Sequence, residues 1–317
     1  MNLIKIRTTL LTIVGVAAAL AAAWYSVFGL KPYTVTPTQL AERYSYSMVQ
    51  PMSMQLETTD NIHFSFSYRS FDGAVVNGQL CYPMPLHDSQ EPLPVLIGIH
   101  AMGRSQLRWW QASVNDRPTL EHTDKLAAMA LANGYAVVTI DARNHGERKD
   151  PALGIAALYR NLHWWGQREP YEAMLIDTVR DHRVLLDWLT EQPQFNPTQI
   201  HSAGYSMGAQ LSLLLAATDN RINRVLALVP PHINNTTALV APKNMLAGLA
   251  GNPVWLLSAN QDEYASKKQN SHLFAALPSP DKKHITFDGG HLLPASYMQI
   301  LDDWFSHDDS ATQRVTD

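Results

Sequence analysis

The sequence predicts an α/β protein: a mostly parallel central sheet with helices on both faces, reached through antiparallel strands at the N-terminal side. Two observations carry this. From Pro94 onward, short and almost wholly apolar runs alternate with helical stretches, and runs apolar on both faces mark a parallel sheet whose crossovers are helices. Before Pro94, apolar and polar residues alternate, the period of a half-exposed antiparallel strand. The chain has 317 residues, 46% of them hydrophobic and 16% charged, enough to bury a sizeable core. Its net charge of −4 gives no electrostatic reason to expect nucleic acid as a partner. Cys81 is the single cysteine, which excludes an intramolecular disulfide and a cysteine zinc cluster.

Taken in order, the chain opens with Lys5 and Arg7, after which Thr8 to Leu30 carries no charged residue. About 20 such residues cross a bilayer core as a helix. Residues 1–30 therefore read either as a signal peptide, with Ala21-Ala22-Ala23 as the small-residue cleavage site, or as a retained membrane anchor with Trp24 and Tyr25 at the outer interface. A buried core helix is the third reading. Both of the first two export the remainder of the chain, and the anchor would make the membrane a partner. Residues 31–60, with Pro32, Pro37 and Pro51, read as a linker or peripheral helix. The folded domain is expected over 61–305, and the polar stretch 306–317 as a flexible tail.

Within the domain, Ile62–Arg69 and Val75–Tyr82 form the antiparallel pair, turned at Asp72-Gly73. The parallel strands are expected at Val95–Ile99, Ala136–Ile140, Ile200–Gly204, Val225–Val229, Val254–Leu257 and His284–Phe287. Helices are expected at Leu126–Ala132, Tyr171–Thr190 and Gln210–Ala217, the second with Leu175, Val179, Leu186 and Leu189 near one face.

The chemistry concentrates at Gly204-Tyr205-Ser206-Met207-Gly208, between an apolar strand and a helix-forming stretch. A serine on a sharp strand-to-helix turn projects its hydroxyl above the sheet edge, and the crowded turn needs small residues two positions to either side. About 0.05 chance matches to Gly-x-Ser-x-Gly are expected in a chain of this composition. A serine hydroxyl is a weak nucleophile that needs a base, itself oriented by an acid. Of 13 histidines, His232, His272, His284, His291 and His307 follow Ser206. His291 comes directly after the last strand, behind Gly289-Gly290, and is the expected base. Asp262, just past the Val254 strand, is the expected acid; Glu263 and Asp288 are the alternatives, and helix capping is the plain role Asp262 could have instead. The oxyanion donors are expected to be the backbone N–H groups of Met207, at a helix N-terminus, and of Met102 in the loop His100-Ala101-Met102-Gly103. Ala101 and Tyr205, with the aromatic pairs Trp109/Trp110 and Trp164/Trp165, are candidates for the substrate pocket; the aromatic pairs fit a purely structural packing role equally well.

With these residues in place, the chain from about Ile62 to Phe305 resembles the α/β-hydrolase-fold serine hydrolases, within them the dienelactone hydrolase and prolyl-oligopeptidase-like esterase branches. The matching pieces are the His100 loop, Asp141-Ala142-Arg143-Asn144-His145-Gly146 after a strand, the serine elbow, Asp262 and His291. Asn144 and Ala101 stand where many relatives have glycine. The resemblance implies a carboxylesterase acting on small or medium acyl esters, with no cofactor or metal and a small or absent cap, since Pro230–Asn252 is too short to hold a large one. An amidase, peptidase or acyltransferase on the same residues is the near alternative. A membrane-tethered binding protein that kept the fold without turnover is the distant one.

Overall fold

The computed structural model describes residues 3–58 and 60–306, so the expected tail from 307 on, His307 included, lies outside the described residues. Among these, helix α1 is Leu3–Phe28 and α2 is Pro37–Tyr44. The main-sheet strands are β1 Gln55–Thr58, β2 His63–Arg69, β3 Val75–Cys81, β4 Leu93–Ile99, β5 Ala136–Ile140, β6 Phe195–Tyr205, β7 Arg224–Leu228, β8 Val254–Ala259 and β9 Lys282–Phe287. The remaining helices are α3 Thr123–Ala132, α4 Ile155–Trp165, α5 Glu169–Glu191, α6 Met207–Thr218, α7 Lys267–Ala276 and α8 Leu301–Ser306.

The strands form one nine-stranded sheet in the order β1-β2-β3-β5-β4-β6-β7-β8-β9. β1, β2 and β3 are antiparallel to their neighbours, and β3 joins β5 antiparallel, pairing Gly78 with Ile140. From β5 to β9 every pairing is parallel. The burial of each strand follows its residue pattern. β5, β7 and β8 are buried at every position, while β2 and β3 alternate.

Two apolar clusters lie on opposite faces. Val95, Ile97 and Ile99 of β4 point into one, covered by Leu40 of α2, Leu175 and Leu186 of α5, and Leu213 of α6. Leu96 points into the other, covered by Leu126 of α3 and by Trp304 and Phe305 of α8. α5 starts with Glu169, Pro170 and Glu172, a preset φ with acidic residues at the positive end of the helix dipole. α6 is apolar nearly all round and accordingly buried nearly all round.

The segment 31–60 does more than link. Thr36 and Gln39 form a capping box that starts α2, the expected peripheral helix. Further on, β1 adds an edge strand to the sheet, Leu56 opposite Phe66. All four of its residues are exposed, so no apolar alternation announced it.

Candidate active site

Strand β6 ends at Tyr205 and α6 begins at Met207, so Ser206 occupies the bend between them. Its backbone lies at φ 57° and ψ −116°, a region costly for a side-chain-bearing residue. The bend is tight enough that a Cβ at Gly204 would fall 2.1 Å from the Gly208 carbonyl carbon, and one at Gly208 would fall 2.1 Å from the Ile99 carbonyl oxygen. Both glycines are therefore required by space: one lets the turn close on itself, the other lets α6 approach the end of β4.

His291 follows β9, in a loop joined to the end of β8. Asn260 N–H donates to the Phe287 carbonyl and Gln261 N–H to that of Gly289, at 2.8 and 3.0 Å. Glu263 accepts from the His291 backbone N–H at 2.9 Å. Its own backbone N–H, together with that bond, holds the Glu263 carboxyl below its usual range. The Tyr205 hydroxyl donates to the His291 carbonyl at 2.9 Å and accepts from Leu293 N–H at 2.8 Å, tying the loop to the residue beside Ser206. The Tyr264 ring stands edge-on to the imidazole, with centroids 4.6 Å apart.

The structure brings Ser206, His291 and Asp262 together. His291 Nε2 lies 2.8 Å from Ser206 Oγ, and Nδ1 lies 3.0 Å from both carboxylate oxygens of Asp262. The Asp262 side chain is fully buried, and its Oδ1 also accepts from Tyr264 N–H at 2.8 Å. A buried carboxylate on Nδ1 fixes the tautomer that carries a proton there and leaves the Nε2 lone pair facing the serine. Neither Glu263, bonded to the backbone, nor Asp288, which accepts from the Asn260 side chain at 2.7 Å, takes that place.

Met207 opens α6, where the first N–H groups have no intrahelical acceptor. Across the cleft, Arg104 N–H donates to the Ala101 carbonyl at 3.1 Å, closing a turn whose third residue, Gly103, has φ +72°. Met102 is the second residue of that turn, and Ala101, Met102 and Met207 all line the same cleft as Ser206. His100 is buried behind it. Its Nδ1–H donates to the Ala101 carbonyl at 2.9 Å and its Nε2 accepts from Ala142 N–H at 3.0 Å, so it holds two loops in register.

The family of proteins with the alpha/beta hydrolase fold matches residues 94–252, from the start of β4 to the segment before β8. The chain belongs to that family. This alpha/beta hydrolase is similar in fold to a glucuronoyl esterase of Solibacter usitatus, with a TM-score of 0.61 at 13% identity, covering 86% of this chain and 93% of that one. It is also similar to an acetyl xylan esterase of a Paenibacillus species, with a TM-score of 0.60 at 17% identity over 86% of this chain and 99% of that one. A cold-adapted esterase from an Arctic intertidal metagenomic library gives a TM-score of 0.57 at 21% identity, covering 80% and 99%. In sequence the hydrolase is similar to a polyketide transferase of Stachybotrys chlorohalonatus, 35% identical over 134 residues, which is 39% of this chain. The match spans only 45% of that relative's length.

The cleft above Ser206 has a volume of about 1040 Å³. Tyr159, Leu162 and His163 of α4, and Tyr171 of α5, wall one side; residues 231–234, 236 and 237, after β7, wall another. Tyr205 lines it too. The two tryptophan pairs do not. Trp109 is fully buried under the opposite face of the sheet, over Gly98, where a Cβ would come within 2.5 Å of its ring. Trp110 joins that cluster and donates from Nε1 to Thr139 Oγ1 at 2.8 Å. In the same segment, Gln106 N–H donates to the buried Asp141 carboxylate at 2.9 Å. Trp164 and Trp165 end α4 and fall outside the stripe of Leu158, Tyr159 and Leu162 that faces inward; they stand exposed against α1.

Sequence reasoning missed the polar pole of the cleft. Glu121 is buried and accepts from Arg104 Nε at 2.7 Å, while its Oε2 has no hydrogen-bond partner among the described residues. The position of residues 231–237, directly past a strand's carboxyl end, was the available signal for that wall. The Asp141 loop is tied down throughout. Arg143 donates to both oxygens of Asp181, at 2.7 and 2.9 Å, and His145 Nδ1 to the Arg143 carbonyl at 2.8 Å. Asn144, standing where relatives have glycine, adopts φ +62°, a conformation asparagine tolerates better than most residues.

Proposed function

We propose that the protein is an exported serine hydrolase that cleaves carboxylic esters, with Ser206 as nucleophile, His291 as general base and acid, and Asp262 as the group that orients the imidazole. The single observation that carries this is His291 bridging the serine at 2.8 Å and the buried carboxylate at 3.0 Å, at a bend whose backbone is strained. In the proposed cycle His291 Nε2 takes the Ser206 proton as Oγ attacks the ester carbonyl carbon. The resulting oxyanion is met by the N–H groups of Met102 and Met207. The C–O bond to the alcohol then breaks, and His291 returns the proton to the departing alkoxide. Water adds to the acyl-enzyme by the same route, releasing the carboxylic acid and restoring the serine hydroxyl. The substrate is a small-molecule ester, and this cycle calls for no cofactor. A cleft of about 1040 Å³ holds a medium acyl group together with its alcohol.

A fluorophosphonate probe and a panel of nitrophenyl esters test this. Wild type is expected to label and to turn over. Ser206→Ala is expected to lose labelling, with kcat lower by a factor on the order of 10⁴–10⁶. A folded wild-type protein that does not label, or labelling that survives in Ser206→Ala, overturns the assignment. Acyl transfer to an alcohol is the second reading, favoured by the stretch similar to a polyketide transferase. Adding an alcohol acceptor decides between them: new ester in place of free acid means transfer.

A further inference from the structure

The N-terminal helix and the mouth of the cleft meet. The stretch Leu11–Phe28 of α1 carries no charged residue and is exposed except at Trp24 and Phe28, which are half-buried. At 1.5 Å per residue its length is about 27 Å, close to the thickness of a bilayer core. Its last turn packs on the end of α4: the Trp24 ring lies 5.7 Å from that of Trp164, and Phe28 lies 5.2 Å from Trp165. Contact reaches the backbone. A Cβ at Gly166, which also has φ +64°, would come within 2.4 Å of the Phe28 carbonyl oxygen. Two residues on, Leu30 lines the cleft that holds Ser206, so at most about 7 Å of chain separates the apolar helix from the cleft wall.

The surface around that junction is apolar and open. Trp164 is 63% and Trp165 49% exposed, and at the cleft's rim so are Tyr264 at 63% and Leu292 at 48%. Tyr25 is exposed as well, with the Lys31 ammonium 3.8 Å from its ring centroid. Tryptophan and tyrosine with a flanking lysine at the end of an apolar helix are the residues that settle at a headgroup layer. Large exposed aromatics around a site mark a surface that something covers, and here the patch adjoins a helix long and apolar enough to cross a bilayer core.

We propose that this face is seated on the lipid bilayer: α1 is retained as an anchor, Trp164 and Trp165 lie in the headgroup layer, and the cleft takes lipophilic esters directly from the adjoining leaflet. The substrate half rests on the hydrolase reading above; the seating does not. α4 then serves two media at once, with Tyr159, Leu162 and His163 walling the cleft and its terminal tryptophans in the interface.

The test uses the full chain in phosphatidylcholine vesicles, with a water-soluble nitrophenyl butyrate and a medium-chain umbelliferyl decanoate dissolved in the bilayer. Trp164→Ser/Trp165→Ser is expected to lower the ratio of bilayer-ester to soluble-ester turnover at least tenfold, and an unchanged ratio overturns the proposal. Seating is read separately, without an activity assay, in chains carrying Trp24→Phe. Brominated phosphatidylcholine is expected to quench their fluorescence, and adding the conservative Trp164→Phe and Trp165→Phe is expected to remove most of that quenching. Quenching that is absent, or unaffected by those changes, overturns the seating even if the serine variant folds poorly. Wild type that cleaves neither ester refutes the hydrolase reading and with it the substrate half, while the quenching still judges the seating.

Discussion

At the scale of single residues, the site depends on where a few donors and acceptors point. Asp262 and Glu263 are adjacent carboxylates with different work: the first faces the imidazole Nδ1, the second the His291 backbone N–H. Asp262→Asn keeps the shape but can present an amide N–H to Nδ1, favouring the wrong tautomer. Its kcat is expected to fall by about 10⁴. Glu263→Gln keeps an acceptor for the backbone N–H, and its kcat is expected to stay within about tenfold of wild type, since one hydrogen bond contributes roughly 1 kcal/mol. Ester kinetics on the two variants check this, and equal losses would remove the distinction. The elbow was legible in the sequence because its requirement is local: one strand end, one helix start and two residues too small to clash. Choosing Asp262 over Glu263 was only partly legible, because neighbours in a loop can exchange roles through a modest backbone rotation.

At the scale of elements, the loop after β5 is held to α5 by a buried charge cluster. Asp181, on α5, has no exposed side-chain surface and accepts from Arg143, from Arg148 at 2.7 Å and from Ser70. Burial opposes its ionisation, but Arg148 and Arg143 together hold its carboxyl below the usual range. Arg143 also reaches Asp72, in the turn between β2 and β3, at 2.6 Å. The cluster thus joins the antiparallel strands, the Asp141 loop and the longest crossover helix. Asp181→Ala leaves two guanidinium groups short of a partner, and the expected cost is about 3–5 kcal/mol of unfolding free energy. Denaturant titration measures it, and a loss below 1 kcal/mol would show that water replaces the carboxylate. The sequence placed Arg143 in the loop after β5 but did not supply Asp181 as its partner. On α5 it reads as one more polar residue on a helix, and only the docking of that helix against β2 buries it.

At the scale of the whole molecule, burial decides how the protein responds to acid. Desolvation pushes His100 down to about 4 and His182 to about 4. Desolvation also pushes His145, with the His100 ring beside it, down to about 3. Above pH 6.5 all three are neutral whether the chain is folded or not, so they give no pH dependence there. Between about 6.5 and 4 the unfolded chain takes up protons that the folded one refuses, and each ring then costs up to about 1.4 kcal/mol of stability per pH unit. The unfolding midpoint is expected to be level from pH 8 to 7 and to fall steeply from 6.5 to 4.5. A midpoint that stays level down to pH 5 contradicts this.

The sequence by itself determined the layered architecture, since runs apolar on both faces can be satisfied only inside a sheet covered twice, and alternating ones only at its half-covered side. It also determined which serine stands at a strand-to-helix bend, because the crowding at that bend is set by residues adjacent in the chain. The tertiary structure alone decided which aromatic side chains face the cleft and that the exposed β1 completes the sheet edge. It alone decided, too, that the apolar helix ends within two residues of the cleft wall. Those outcomes depend on how distant segments rotate and dock against one another, and a one-dimensional pattern records how much of a helix is apolar but not which neighbour its apolar side meets.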